Sequence, residues 1–536
     1  MHTQITWLQR YSCAVLIAIS AIVLLAGIDG YSLQGSTEPR EAGIAAEMLQ
    51  SSDYIVPRLN GRIFLEKPPL SYWLQMGALK VFGYQPAAAR LPSILAGVVC
   101  VCLVFFGVRK IGDDAAPAWL AALLLLTMAS FWMNARTAGQ DALLACGVAL
   151  ALFSFNAARD NSTATRAWLF YSAGIAVATF SKGVVGLAVP GAVILCYLLV
   201  ETFALERRFV PGNWLRPAVY AAVGLIPLAL WLYLLARRAG ADAVGQILWA
   251  NSVERFAGDY RFDAHAEPFY YYLQKLPETF APWNLLVFFS LWRLRRDWHD
   301  RNVLFFCCWL LAPYVLLSLS AGKRPPYLLM LYPAAAVLPA LLFERLRRMS
   351  GIDRSALRVA QVQAVLLSGA AIFLVWHAWR LHVHAAAIVM GVLLAIAGAA
   401  MWRALAAHAW RRMAIGALSV ALMFYLGYGG ALWRHEHRRD SPEAIFAKMQ
   451  SLERSGHRLI LFRPLERIAG ASSFYLEHKL PSCSDAQQLQ KLLDGDARAV
   501  ALVEMDDSQR LRNYRVVADF TRRKRGYMLI AREAAD

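Results

Sequence analysis

The stretch 11–28, YSCAVLIAISAIVLLAGI, runs without a charge between Arg10 and Asp29. At about 1.5 Å per helical residue it covers close to the roughly 30 Å of a bilayer core. No A-x-A cleavage site follows, so it reads as a retained anchor rather than a signal peptide. A second charge-free run, 413–433, follows Arg411 and Arg412. Between them lie eleven more candidate spans, at roughly 90–108, 116–130, 138–156, 167–180, 184–201, 217–235, 279–292, 303–319, 325–342, 358–377 and 382–402. The pattern predicts a polytopic α-helical membrane protein with about thirteen transmembrane helices.

Composition agrees. Of 536 residues, 58% are hydrophobic and 17% charged, and the mean hydropathy is +0.41. That excludes an ordinary cytosolic enzyme, a disordered chain and a disulfide scaffold. The net charge of +18 would suggest nucleic acid in a soluble protein. Here no basic segment is interleaved with aromatics outside the membrane loops, so nucleic-acid binding is not expected. Seven of the eight cysteines fall in apolar runs and only Cys483 lies in a polar segment, which implies packing rather than a disulfide or metal framework.

With the N-terminus inside, alternate loops carry Arg109 and Lys110, then Arg159 and Arg166, Arg207 and Arg208, Arg293 to Arg301, Arg345 to Arg354, and Arg403 to Arg412. This is a consistent positive-inside pattern, and an odd span count puts the tail outside. The expected division is a transmembrane part, 1–433, and an external α/β domain, 434–536. In the tail, Arg458–Phe462, Ala499–Glu504 and Met528–Ala531 read as strands, and Pro442–Gln450 and Ala486–Leu493 as helices. Two outer loops, 29–89 and 236–278, are long, and long loops are often functional. The first holds an amphipathic pattern over Thr37–Ser51, with Ile44, Ala45, Met48 and Leu49 on one face. Thr37 reads as its N-cap and the helix is expected to lie in the interface plane.

The charged residues on the outer side are where chemistry would sit. In Thr37-Glu38-Pro39-Arg40 an acid and a base share a helix start, where free N–H groups can hold phosphate oxygens. In Glu66-Lys67-Pro68-Pro69 the prolines fix the backbone and the direction of Lys67. Asp141 opens a span from the outer face, and charges entering a membrane segment default to function. Lys182, in FSKG (180–183), and Lys323, in KRPPY (323–327), oppose the positive-inside rule; an anionic lipid head or snorkelling at the interface would explain them. Arg255 is a further phosphate candidate, and Glu66 with His265 could share a metal ion, although two ligands show no ligand spacing. Nucleotide, zincin and serine-hydrolase motifs are missing.

The segments TEPREAGIAAEML (37–49), IVPRLNGRIFLEKPPLSYWL (55–74), FSKGVVGLAVP (180–190), SVERF (252–256), HAEPFYYYL (265–273) and KRPPYLLMLYP (323–333) together resemble the bacterial aminoarabinose transferases and the wider protein O-mannosyltransferase-like group of type C glycosyltransferases. The resemblance implies the type C fold with periplasmic juxtamembrane helices, an inner-membrane location, and sugar transfer from a polyprenyl (undecaprenyl) phosphate carrier. In the aminoarabinose branch it implies a lipid A phosphate as acceptor and polymyxin resistance as outcome. It carries over residue by residue: the helix arginine to Arg40, the E-K-P lysine to Lys67, the membrane-edge aspartate to Asp141, the tyrosine of K-x-P-x-Y to Tyr327, and a zinc pair to Glu66 and His265. Thr37 stands where the family has its catalytic aspartate, which leaves Glu38 beside it. The expected catalytic set is therefore Glu38, Asp141 and Lys67; the expected substrate-binding set is Thr37, Arg40, Arg58, Lys182, Arg255, Lys323 and Tyr327.

The chemistry also stands on its own. A sugar on a polyprenyl phosphate is already activated, and the leaving phosphate gains charge that cations would stabilise. Glu38 or Asp141 would accept a proton from a hydroxyl acceptor, while a phosphate acceptor needs only orientation. One displacement implies inversion at the anomeric carbon. The alternatives are transfer to a protein or cell-wall glycan hydroxyl, and a flippase or transporter of a polyprenyl-linked lipid. The transporter should show inverted repeats and broken helices, which the sequence does not display.

Overall fold

The computed structural model describes residues 2–112, 114–159, 165–249, 267–349, 353–437, 443–508, 514–522 and 525–533. The chain divides into two compact units. One comprises Met1–Ala26, Glu66–Leu70 and Ser93–Leu432; the other comprises Gly27–Leu65, Ser71–Pro92 and Trp433–Asp536. Most of the first long loop, residues 66–70 excepted, therefore shares a unit with the tail, which is a different division from 1–433 and 434–536.

The first unit is a bundle of apolar helices, and each of the thirteen expected runs falls on helix. Among the described residues, nine helices are long and apolar enough to cross a membrane, so this is a multi-pass membrane protein. The run expected at 116–130 is broken instead: Ala115–Leu126 and Ala129–Ala135 meet at 68°. Thr127 sits at the break, its hydroxyl bonded back to the Leu123 carbonyl at 2.6 Å. The Trp283 indole N–H, fully buried, donates to the same hydroxyl at 2.9 Å. A threonine that bonds back to its own helix can bend it, and the large ring fills the corner.

Small residues set the closest approach in the bundle. A Cβ added at Gly147 would lie 2.6 Å from the Ala178 nitrogen, and one at Gly174 would lie 2.4 Å from the Ala151 nitrogen. The helices Asp141–Ala158 and Thr165–Lys182 thus cross backbone against backbone.

The second unit is built on strands β1 (Arg58–Leu59), β2 (Arg62–Ile63), β3 (Arg458–Phe462), β4 (Ser482–Cys483), β5 (Ala499–Glu504), β6 (Tyr514–Arg522) and β7 (Arg525–Arg532). The last five form one mixed sheet in the order β4-β3-β5-β7-β6, with β3 parallel to β4 and β5, and β7 antiparallel to β5 and β6. β3 and β5 are buried along most of their length, because the central strands of a covered sheet bury both faces. β1 and β2 are a two-residue hairpin whose Asn60-Gly61 turn has φ of 50° and 77°, the turn that Asn-Gly favours.

The loop helix spans Thr37–Ser51, as expected, but two details differ. Its N-cap is Ser36, whose side chain makes no cap bond, and Thr37 is the first helical residue. Nor does it lie half-exposed in an interface: Glu38 and Pro39, and everything from Glu41 to Met48, are buried. Its cover is the helix Glu466–Tyr475, unmarked in the sequence pattern. The crossing is glycine on glycine: a Cβ at Gly43 would lie 2.3 Å from the Gly470 Cα.

Candidate functional site

In the membrane unit, Asp141 opens one helix and Lys182 closes the next, so each charge sits at the helix end whose dipole favours it. Gly183, at φ +68°, takes the left-handed conformation that stops the second helix directly after Lys182. The tight Gly147–Gly174 crossing brings the two ends together, and the Lys182 ammonium donates to the Asp141 carboxylate. The pair is mostly enclosed, with side chains 8% and 22% exposed.

Other residues gather at this pair, of which Tyr327 and Lys67 were expected. The Lys182 ammonium also lies 4.2 Å from the centre of the Tyr327 ring, a cation–π distance. Arg324 and Lys67 act electrostatically on the same carboxylate. The Pro68 ring comes to 4.0 Å from where a Cβ on Gly183 would sit, so the rigid Lys67-Pro68 segment reaches the Lys182 end. Tyr272, fully buried, holds the chain at Arg324: its hydroxyl accepts from the Arg324 N–H and donates to the Arg324 carbonyl, both at 3.3 Å.

Lys323 has a different role from the one expected. It is buried, and its ammonium donates to the carbonyls of Ser320 and, at 2.8 Å, Glu267. Two of its three donors are thereby committed to backbone, and burial pulls its pKa below the ordinary lysine value. It closes a loop rather than offering a charge to a phosphate. Among the described residues no three His, Cys, Asp or Glu side chains gather around one point. Glu66 belongs to this unit; His265 and Arg255 lie outside the described residues, so no step below is routed through a metal.

Unlike Glu66 and Lys67, the other residues expected from the first loop, Thr37, Glu38, Arg40 and Arg58, belong to the other unit. Glu38 forms an ion pair with Arg90 at 2.7 Å, the two side chains 3% and 0% exposed. Both Glu38 oxygens accept from Arg90, at 2.8 and 2.7 Å, and one accepts from the Gln34 N–H as well. Arg90 directs its other donors to the carbonyls of Ile28, Tyr31 and Ser32 and stacks on the Tyr31 ring at 3.8 Å. A carboxylate so enclosed cannot receive a substrate proton, so Glu38 is a positioning group and not the expected base. Arg40 bonds to Glu41 at 2.9 Å and to Glu466 at 3.1 Å, which ties the loop helix to its neighbour. Arg58 stands on β1 with its guanidinium 3.5 Å from the Gly61 carbonyl. Thr37 lies in the first turn beside Glu38.

Sequence reasoning missed Arg90, Tyr272 and Arg324, the last standing beside the expected Lys323. Arg90 had a signal: a lone arginine among apolar residues at the start of a span, the kind of intramembrane charge that demands a partner. Tyr272 had none within the aromatic run 269–272.

The dolichyl-phosphate-mannose-protein mannosyltransferase family matches residues 66–237, which include Lys67, Asp141 and Lys182. A curated relative, the undecaprenyl phosphate-alpha-4-amino-4-deoxy-L-arabinose arabinosyl transferase of Edwardsiella ictaluri, is 29% identical over 83% of this chain and 80% of its own length. The enzyme of the same description from Pseudomonas aeruginosa strain LESB58 is 28% identical over 63% of this chain and 61% of its own. A crystal structure of ArnT from Cupriavidus metallidurans bound to undecaprenyl phosphate superposes with a TM-score of 0.77, covering 96% of this chain and 97% of that one at 22% identity. The chain is thus similar in sequence to these transferases and shares the fold of the ArnT structure.

For a glycosyltransferase the arrangement at Asp141 has clear chemical capacity. A carboxylate has about four acceptor sites and an ammonium three donors. Among the described residues the hydrogen bond between Asp141 and Lys182 is the one bond each side chain makes. The remaining sites, with Arg324, Lys67 and Tyr327 near, can take up an anionic substrate or a hydroxyl.

Proposed function

We propose that the protein is an inverting glycosyltransferase acting outside the bacterial inner membrane. It moves a sugar such as 4-amino-4-deoxy-L-arabinose from undecaprenyl phosphate to a lipid A phosphate. The observation that carries this reading is the Asp141–Lys182 pair with Lys67, Arg324 and Tyr327 around it. It supplies what such a transfer needs and little else.

The donor arrives activated, so no nucleotide site is required. As the glycosidic C–O bond lengthens, negative charge builds on the carrier phosphate. Lys67 and Arg324 stabilise that charge, and preorganised cations of this kind typically contribute more to catalysis than any other single effect. Lys182 holds the Asp141 carboxylate in place. When the acceptor is a phosphate, the cations orient it; when it is a hydroxyl, Asp141 takes the proton. Attack from the face opposite the leaving phosphate inverts the anomeric carbon.

The broken helix at Thr127 does not favour the transporter alternative. Trp283 fills the break, and it is 1% exposed. A zinc requirement through Glu66 and His265 is part of the proposal: chelation followed by zinc re-addition should switch transfer off and on.

Mass spectrometry of lipid A and of surface glycans, with and without the protein, tests the reading. A pentose-sized addition on a lipid A phosphate that depends on the protein supports it. A product on a glycan or protein hydroxyl moves the acceptor assignment, and transport of intact donor without a transferred sugar overturns it.

A further inference from the structure

A second feature of the membrane unit lies at the opposite ends of its helices from Asp141. Leu120, Trp283, Leu346, Ala360, Trp410 and Ala417 are among the residues that line an apolar cleft there. Its cavity volume is about 90 Å³, a narrow slot that suits part of a single extended chain rather than a bulky ligand. Its lining helices include Tyr332–Arg348, Arg354–Arg380 and Trp410–Gly427, whose arginine-rich ends the charge pattern assigns to the inner side.

The arginines at this end fall into two groups. Arg345 is paired with Asp297 and Asp300, Arg347 with Asp114 and Glu344, and Arg348 with Glu344. Their charge is satisfied within the protein. Arg354, Arg358, Arg403, Arg411 and Arg412 are exposed, and none of them is ion-paired with a carboxylate among the described residues. These five are interleaved with the lining: Arg354 and Arg358 with Ala356 and Ala360, Arg403 with Met401, and Arg411 and Arg412 between Trp410 and Met413. An apolar slot and uncompensated positive charge within a helical turn of its walls match one kind of occupant.

We propose that this cleft binds an anionic diacyl phospholipid of the cytoplasmic leaflet, one acyl chain in the slot and the headgroup phosphate on the unpaired arginines. Each cation near an anionic headgroup adds on the order of 1 kcal/mol, or about fivefold in affinity, and the chain adds its buried apolar area. The proposal stands independently of the transfer reaction, because the site takes a membrane constituent and not the sugar donor.

The test is native mass spectrometry of the purified full-length protein. It is titrated with phosphatidylglycerol and, separately, with phosphatidylcholine carrying the same acyl chains. The wild type should retain phosphatidylglycerol on the order of tenfold more strongly. Arg411→Gln/Arg412→Gln, which alters only exposed side chains, should lower that preference several-fold. Ala417→Trp, which fills the slot, should weaken retention of both. Ala360→Leu is a milder filling variant should the tryptophan impair folding, checked by a monodisperse gel-filtration profile. Equal retention of the two lipids by the wild type would overturn the proposal. So would undiminished phosphatidylglycerol preference in the arginine variant, or full retention in both filled variants.

Discussion

Two enclosed ion pairs, one in each unit, have the same formal chemistry and opposite characters. Arg90 and Glu38 satisfy each other completely: the guanidinium places every donor on Glu38 or a backbone carbonyl, and both carboxylate oxygens are occupied. Among the described residues Lys182 and Asp141 make one hydrogen bond, which leaves capacity on both sides. A saturated buried pair holds a fold, while an unsaturated one beside further cations is poised to bind. Burial and charge alone do not separate the two; the count of unused donors and acceptors does.

Breaking the saturated pair should have the largest effect. Arg90→Leu leaves Glu38 buried without its partner, at a cost of about 3–5 kcal/mol. The expected result is little monodisperse protein after extraction. Arg90→Leu/Glu38→Leu should recover part of the loss, since the lone buried charge is what costs most. Equal yields of wild type and Arg90→Leu would contradict the structural role.

Gly147→Leu attacks the other pair indirectly. The added side chain meets the Ala178 backbone, so the helices must separate, at about 1–3 kcal/mol. Transfer should fall much further than stability, because the Asp141–Lys182 contact opens. Thermal unfolding and turnover measured on one sample would separate the two effects.

Arg40→Ala sharpens the comparison from within the second unit. Its loss leaves the buried Glu41 short of a partner, at about 1–3 kcal/mol. Turnover per folded molecule should drop far less than in Lys67→Ala. A loss of turnover in Arg40→Ala as deep as that of Lys67→Ala, with unfolding unchanged, would return Arg40 to the substrate.

The smallest effect belongs to a carboxylate with an ordinary task. Asp353 caps the helix Arg354–Arg380, accepting from the N–H groups of Ser355 and Ala356 at 2.9 and 3.0 Å. The Ser355 hydroxyl also donates to it and, as the main cause, holds its pKa below the usual carboxylate range. A depressed folded-state pKa contributes stability above the unfolded value, lost as the pH falls through the folded one. Asp353→Ala should therefore cost about 1 kcal/mol at neutral pH and progressively less below about pH 4, as thermal unfolding against pH would register.

The sequence made the bundle legible because apolar runs of bilayer length need no tertiary information. β3 and β5 were readable to the residue for a similar reason: a central strand is apolar throughout. The bend at Thr127 was hidden, because a hydroxyl turned back on its own helix has no mark in hydropathy. The cover of the loop helix was hidden too, since Gly43 and Gly470 are more than four hundred positions apart. At the candidate site, Lys67, Asp141, Lys182 and Tyr327 were all visible as charges or motifs at the outer face. Which of them meet depends on the Gly147–Gly174 crossing, and only coordinates reveal that. Glu38 misled because a carboxylate at a helix start looks the same in sequence whether Arg90 fills it or water does.

The central claim is that the unsaturated pair is the chemical centre. The most direct measurement is turnover of an undecaprenyl-phosphate sugar donor by purified wild type, Asp141→Asn and Lys182→Met, with lipid A as acceptor. The account predicts transfer by the wild type and a loss of about a hundredfold or more in each variant, with gel-filtration profiles unchanged. Near-normal turnover in both folded variants would contradict it.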